Sequence, residues 1–178
     1  MSMAEAMSGG NILASRTGAA LEIRPAGPAD VPRLAVLYAT AHGETYAPIF
    51  GAAYVPLAVA ATETVCAEFF KDGNVVLLAQ SEGADAGFLY LAAGHLELLY
   101  LLQAYQGRGI GRALMRQALA AAAERGRTEI TLNVLPANSG AIRFYESLGA
   151  ARIGSVICQH ETGPFEDWVF RLAVTAGR

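Results

Sequence analysis

Six consecutive residues, Gln106-Gly107-Arg108-Gly109-Ile110-Gly111, carry the strongest chemical signal in the chain. They stand between an apolar run, His95 to Leu102, and a segment in which Ile110, Leu114, Ala118, Leu119 and Ala122 recur at helical spacing. A strand that stops at a glycine-spaced turn and enters a helix leaves main-chain N–H groups unpaired at the positive end of the helix dipole. Glycines let that backbone approach a ligand closely and adopt dihedrals that a Cβ forbids. The chemistry is anion binding, and each negative charge gains roughly 0.3 to 1 kcal/mol from the helix terminus, so a diphosphate gains more than a single charge. The dinucleotide pattern G-x-G-x-x-G does not fit, because its sixth position falls on Arg112 counted from Gly107 and on Leu114 counted from Gly109. Nor is there a Gly-Lys pair followed by Ser or Thr, as a nucleoside-triphosphate loop requires. Glycines alone are equally compatible with a plain tight turn, so the surrounding pattern has to decide.

The elements that would hold this turn follow from periodicity. Leu21 and Ile23 alternate with Glu22 and Arg24 as a first strand; Gly27 then caps a helix with Pro28 at its first position and Val31, Leu34, Ala35 and Tyr38 along one face. From Ala39 to Lys71 the pattern is mixed and predicts one or two helices, with His42, Glu44 and Tyr46 best read as surface-loop residues. Asn74 to Gln80 and Ala86 to Ala92 form an antiparallel hairpin, His95 to Leu102 the next strand, and the helix after the glycine turn ends near Gly126. Thr128 to Leu135 is a strand, and Asn138 or Ser139 caps a short helix whose face is Ala141, Phe144, Tyr145 and Leu148, closed by Gly149. Ala151 to Cys158 and Asp167 to Ala173 are the last two strands.

Composition narrows the class. Hydrophobic residues make up 53% of the 178 and charged residues 16%, too apolar for a disordered chain and the size of one domain. No stretch reaches the roughly 20 apolar residues of a membrane span, since Arg116 and Gln117 interrupt the alanine run from Ala113 to Ala123. The formal charge is −3 and the basic residues are dispersed, so no nucleic-acid footprint exists. Cys66 and Cys158 form no C-x-x-C and have no metal-ligand spacing to His42, His95 and His160, which predicts no metal site and two reduced, buried packing thiols. The residues through Gly18 are small and polar without an export signal, which predicts a disordered leader at 1–18, one domain over 19–178, and a cytoplasmic location.

The segment Leu99 to Leu114, LYLLQAYQGRGIGRAL, resembles the most diagnostic motif of the GNAT superfamily of N-acetyltransferases, the loop Q/R-x-x-G-x-G/A, with Gln106, Gly109 and Gly111 in the matching positions. Asn138 to Gly149, NSGAIRFYESLG, resembles that family's second acetyl-CoA element, and two motifs in order are much more specific than either alone. The resemblance covers about Leu21 to Val174 and implies an α/β fold: a mixed, mostly antiparallel sheet of six to seven strands, helices on both faces, and a splayed central strand pair. One departure is that many relatives have a Val-x-Pro before the loop, where this chain has Leu101, Leu102 and Gln103.

By that resemblance the co-substrate is acetyl-CoA and the partner an amine acceptor, with no metal. Leu101, Leu102 and Gln103 offer contacts to the pantetheine arm; Gln106, Gly107, Arg108, Gly109, Ile110, Gly111, Arg112 and Ala113 surround the diphosphate; and Asn138, Ala141, Phe144 and Tyr145 belong to the second element. The family's direct attack of a neutral amine on the thioester needs a base, an oxyanion donor and an acid for the departing thiolate. The resemblance assigns the acid to Tyr145, whose spacing alone would favour core packing, and the oxyanion donor to a main-chain N–H at Leu101 or Leu102. Glu97 is the candidate base, because strand parity places it with Leu99 and Leu101; a solvated edge charge is the competing reading. A non-catalytic acyl-CoA-binding regulatory module, a nucleotide-binding regulatory domain and a longer acyl donor stay open. Similar proteins often dimerise through their last strands, which leaves a homodimer open as well.

Overall fold

The computed structural model describes residues 11–14, 20–71, 73–160 and 163–174. Its elements are β1 (Asn11–Ala14), β2 (Ala20–Pro25), α1 (Val31–Phe50), α2 (Val59–Ala67), β3 (Val75–Ser81), β4 (Ala84–Ala92), β5 (His95–Leu101), α3 (Ile110–Glu124), β6 (Glu129–Val134), α4 (Ser139–Glu146), β7 (Ala151–His160) and β8 (Gly163–Ala173). One sheet runs in the order β1-β2-β3-β4-β5-β6-β8-β7, antiparallel throughout except for the β5–β6 pair. Strands β2 to β8 give the seven the sequence implies. The eighth, β1, pairs Asn11–Ala14 with Ile23–Ala20, which corrects the reading of residues 1–18 as leader without structure; the rest of that leader lies outside the described residues.

Because helices cover both faces, the sheet buries side chains on both. Leu77 and Ala79 of β3 pack with α3, while Val76 and Leu78 pack with α1 and α2, so the strand shows a continuous apolar run instead of an alternation. On the α3 side the core joins Leu21, Ile23, Leu89, Leu96, Ile130, Leu132 and Phe170 to Leu114, Met115 and Ala118 of the helix. On the other side Phe88 and Tyr100 meet Leu34, Leu37 and Ala41 of α1 and Cys66 of α2. No helix among the described residues is long and apolar enough to cross a membrane.

Gly27 leads into a short 3-10 turn, Pro28–Asp30, before α1 begins. Asp30 accepts from the Gly27 N–H at 3.0 Å and from both guanidinium nitrogens of Arg24 at 2.6 and 2.8 Å. That pairing holds its carboxyl down at about 2. Arg33 bridges onward to Asp85, tying α1 to the start of β4. The helix then runs through Pro48 to Phe50 and stops at Gly51, whose φ of +55° ends it. His42, Glu44 and Tyr46 are therefore helical, not loop residues. Tyr38, His42, Tyr46 and Phe50 recur every four positions and form one aromatic stripe along its face.

Candidate active site

Two features shape the site: a gap in the sheet and the glycine turn beside it. β5 and β6 pair only through His95 with Thr131 and Leu96 with Leu132, reinforced by a 2.8 Å hydrogen bond between His95 Nδ1 and Thr131 Oγ1. Beyond Leu96 the strands part. The cause sits on the other side of β5, where Leu91 faces Leu96 but Tyr90 faces Leu98, so Glu97 is an extra, bulged residue. Leu96, Leu99 and Leu101 consequently pack toward α3, and Leu98, Tyr100 and Leu102 toward α1. Glu97, Leu99 and Leu101, which strand parity put together, all line the cleft, and the bulge brings Leu96 to the face of Leu99 as well. Glu97 is exposed, lines the cleft, and lies near enough to Tyr90 and Cys158 for its charge to push both upward.

The Leu102 N–H donates to the Ala86 carbonyl at 3.0 Å. In an antiparallel pair the outward groups alternate, so Leu101 and Leu99 turn their N–H and C=O groups away from β4 into the gap. Of the two residues expected to supply an oxyanion donor, Leu101 keeps its amide on the gap side and Leu102 does not. Gly87 permits the close approach behind it, since a Cβ there would lie 2.2 Å from the Tyr100 carbonyl oxygen.

At the turn, Gly107 (φ +73°) and Gly109 (φ +85°) both take left-handed conformations, and Gly109 caps α3. The first intrahelical bond runs from the Ala113 N–H to the Gly109 carbonyl at 3.0 Å, so the amides of Ile110, Gly111 and Arg112 open from the helix start toward the cleft. A Cβ on Gly111 would meet Phe144 Cζ at 3.3 Å and Leu101 Cδ1 at 3.4 Å, so this glycine lets α3, α4 and β5 converge. Arg112 reaches Ser147 Oγ at 3.1 Å, and Arg108 lies over the Tyr105 ring, 5.3 Å from its centroid.

A cleft of about 810 Å³ runs along the gap from this turn. Of the residues singled out from sequence it gathers Glu97, Leu101, Gln103, Gln106, Gly107, Gly109, Ile110, Gly111, Arg112, Asn138, Ala141, Phe144 and Tyr145. Leu102, Arg108 and Ala113 do not line it: Leu102 faces α1, the Arg108 guanidinium lies over Tyr105, and Ala113 is in the core. Asn138 caps α4, its Oδ1 accepting from the Ala141 N–H at 3.1 Å.

Tyr145 is 8% exposed and lines the cleft, and among the described residues nothing hydrogen-bonds its hydroxyl. Burial, with Tyr46 facing it from α1, pushes its phenol well above the ordinary value of about 10 and keeps it protonated through the neutral range. Cys66 is buried and raised to about 11, first by burial. Cys158, expected to be buried as well, is half-buried; burial and then Asp167 raise its thiol, and Asn133 Nδ2 reaches its sulfur at 3.5 Å.

The cleft is also lined by residues that sequence reasoning missed or undervalued: Tyr38, His42, Glu44, Tyr46, Asn133 and Asp167. His42 is 5% exposed, with its Nδ1 3.1 Å from the Tyr54 hydroxyl. The four-residue spacing of Tyr38, His42, Tyr46 and Phe50 was a readable signal for that wall; Asp167 had none, because only the sheet order brings it there. Arg112 is the single Arg or Lys lining the cleft among the described residues, whereas Glu44, Glu97 and Asp167 all line it.

Comparison with known proteins agrees with this architecture. The acetyltransferase (GNAT) family model matches residues 44–150, more than half of the chain, and the chain belongs to that family. An uncharacterised N-acetyltransferase of Mycobacterium tuberculosis is 37% identical over 89 residues, covering 47% of this chain and only 57% of that protein's length. Among solved structures, a ribosomal-protein-alanine N-acetyltransferase from Brucella melitensis superposes with a TM-score of 0.67 at 23% identity, over 85% of this chain and 98% of that one. YncA from Salmonella typhimurium, solved with its cofactor acetyl-CoA, gives 0.64 at 20% identity over 88% and 95%.

Proposed function

We propose that this protein transfers the acetyl group of acetyl-CoA to a primary amine of a small molecule or protein, by direct attack of the amine on the thioester. The observation that carries the reading is the continuity of one cleft, from the open amides of the Gly107–Arg112 turn to the edge of β5 at Leu101, beside which no strand runs. The amides and Arg112 suit a diphosphate, and the β5 edge suits an extended, amide-containing arm. The acetyl-CoA held by the fold neighbour supports the same co-substrate.

In this reading the thioester carbonyl lies against the Leu101 N–H, which stabilises the oxyanion as the amine adds. Collapse of the adduct breaks the carbon–sulfur bond, and Tyr145 gives its proton to the departing sulfur. An ordinary phenol near 10 against a thiol near 8.5 makes full transfer uphill by about 2 kcal/mol. The dry surroundings that raise Tyr145 raise the thiolate's proton affinity too, so the mismatch does not grow in proportion. Glu97 accepts the proton of the amine through water, and the carboxylates that line the cleft favour an acceptor that arrives as a cation. An amine panel assayed by thiol release from acetyl-CoA tests the reading: turnover with at least one amine, lost in Tyr145→Phe, is expected. Acetyl-CoA binding without turnover on any amine, unaffected by that substitution, would instead identify a binding module.

A further inference from the structure

On its gap side β5 ends in two main-chain groups, the carbonyl of Leu101 and the N–H of Gln103. They bracket Leu102, whose φ of −58° and ψ of 140° keep the chain extended. A carbonyl and an N–H on either side of an extended residue are the pair that a parallel strand offers to one residue of its neighbour. Here that neighbour is missing, because β6 has already parted. Both groups are nevertheless filled, and by side chains. Gln106 Nε2 donates to the Leu101 carbonyl at 3.1 Å, and Glu44 Oε2, from the middle of α1, accepts from the Gln103 N–H at 2.6 Å.

One amide donor and one carboxylate acceptor together reproduce the N–H and C=O of a single peptide-like unit. Both side chains are exposed, so neither is locked in place by packing. Nor does α1 need the Glu44 contact to stay on the sheet, since Leu34, Leu37 and Ala41 anchor it in the core. The contact is best explained by what it imitates.

Resting on the reading above, we propose that Glu44 and Gln106 stand in for the pantetheine amide of acetyl-CoA in the free enzyme. They keep the β5 edge satisfied until the cofactor's arm displaces them. Glu44 is thus a positioning residue that sets cofactor affinity by competing with it. The competition carries a sign that a merely structural role would not give: removing the carboxylate should strengthen binding.

Calorimetry on the full chain with three probes tests this: coenzyme A, pantetheine, and adenosine 3′-phosphate 5′-diphosphate, which lacks the arm. Glu44→Ala is expected to bind coenzyme A and pantetheine about three- to tenfold tighter than the parent, the range of one net hydrogen bond. The nucleotide without the arm should bind both proteins alike. Glu44→Gln, which retains an uncharged acceptor and the same shape, should fall between them and gives the same sign if the alanine variant does not fold. Unchanged or weaker coenzyme A binding in these variants overturns the proposal, as does equal tightening of the armless nucleotide. Failure of the parent protein to bind coenzyme A at all would overturn the acetyl-CoA reading itself, and this proposal with it.

Discussion

Replacing Tyr145 by phenylalanine removes one oxygen from a residue that is 8% exposed and whose hydroxyl has no hydrogen-bond partner among the described residues. The geometry makes two opposed demands of this change. For stability, the hydroxyl makes no hydrogen bond to the described residues and opens onto the cleft, so its removal costs little and the melting temperature should hold. For chemistry, the departing sulfur loses its proton donor. At pH 7 a thiolate with a thiol pKa near 8.5 lies about 2 kcal/mol above the thiol in water, a factor of roughly 30 in rate. A water-poor cleft solvates the thiolate less well and adds to that, which brings the expected fall in kcat to about 10²- to 10³-fold, within the range of general acid catalysis. Binding of acetyl-CoA should change less than about threefold, because the hydroxyl contributes at bond cleavage and not in the ground state. Thiol release under saturating acetyl-CoA, beside a thermal melt of the same sample, measures both. A kcat within threefold of the parent refutes the assignment, and so does a loss of kcat that tracks a fall in melting temperature.

Three further outcomes are expected. Glu97→Gln should lower turnover at pH 7 by about 10²-fold, and the deficit should shrink as the pH approaches the acceptor's own pKa; a pH-independent deficit would remove Glu97 as the base. Asp30→Asn should cost about 2 kcal/mol in urea unfolding at pH 7. Because the Asp30 pKa is depressed to about 2, that advantage of the parent is present above the unfolded value near 3.8 and disappears as pH falls through about 2; an equal difference at every pH would contradict the pairing with Arg24. Gly87→Ala, whose Cβ would sit 2.2 Å from the Tyr100 carbonyl oxygen, should destabilise by about 3 kcal/mol or more, whereas Gly154→Ala, with nothing within 4 Å, should stay within about 0.5 kcal/mol.

The parts of the molecule legible in its sequence are those that local rules govern. The turn at Gly107 and Gly109 and the cap at Asn138 are encoded by residue types that the backbone conformation itself demands, and the structure holds them there. The amphipathic stripes of α3 and α4 follow from a period of 3.6, and the hairpin of β3 and β4 from two short apolar runs on either side of a turn. What was not legible depends on partners distant along the chain. Whether the Leu102 amide is free is decided by Ala86. Asp167 reaches the cleft because β8 pairs with β6. α1 extends to Phe50 despite Pro48, because a proline in the last turn forfeits one main-chain bond while the aromatic face continues to pack. Cys158 looked like core from its type, and the sheet edge left it half-exposed.

The bulge at Glu97 joins these two kinds of information. One residue inserted into β5 keeps Leu96 and Leu99 on the same face and lets the strand turn away from β6 immediately after their two-residue pairing. Had the alternation run unbroken, β6 would continue along β5, the Leu101 amide would pair within the sheet, and no gap would exist for an extended ligand. The same insertion sets Glu97 at the opening, so the candidate base and the free strand edge share one cause. A deletion of Glu97 should therefore do more than remove a carboxylate. It should draw β5 and β6 together and abolish coenzyme A binding in a protein that still melts cooperatively, whereas Glu97→Gln leaves that binding intact. Equal coenzyme A affinity in the deletion variant and the parent would separate the gap from the bulge and refute the connection.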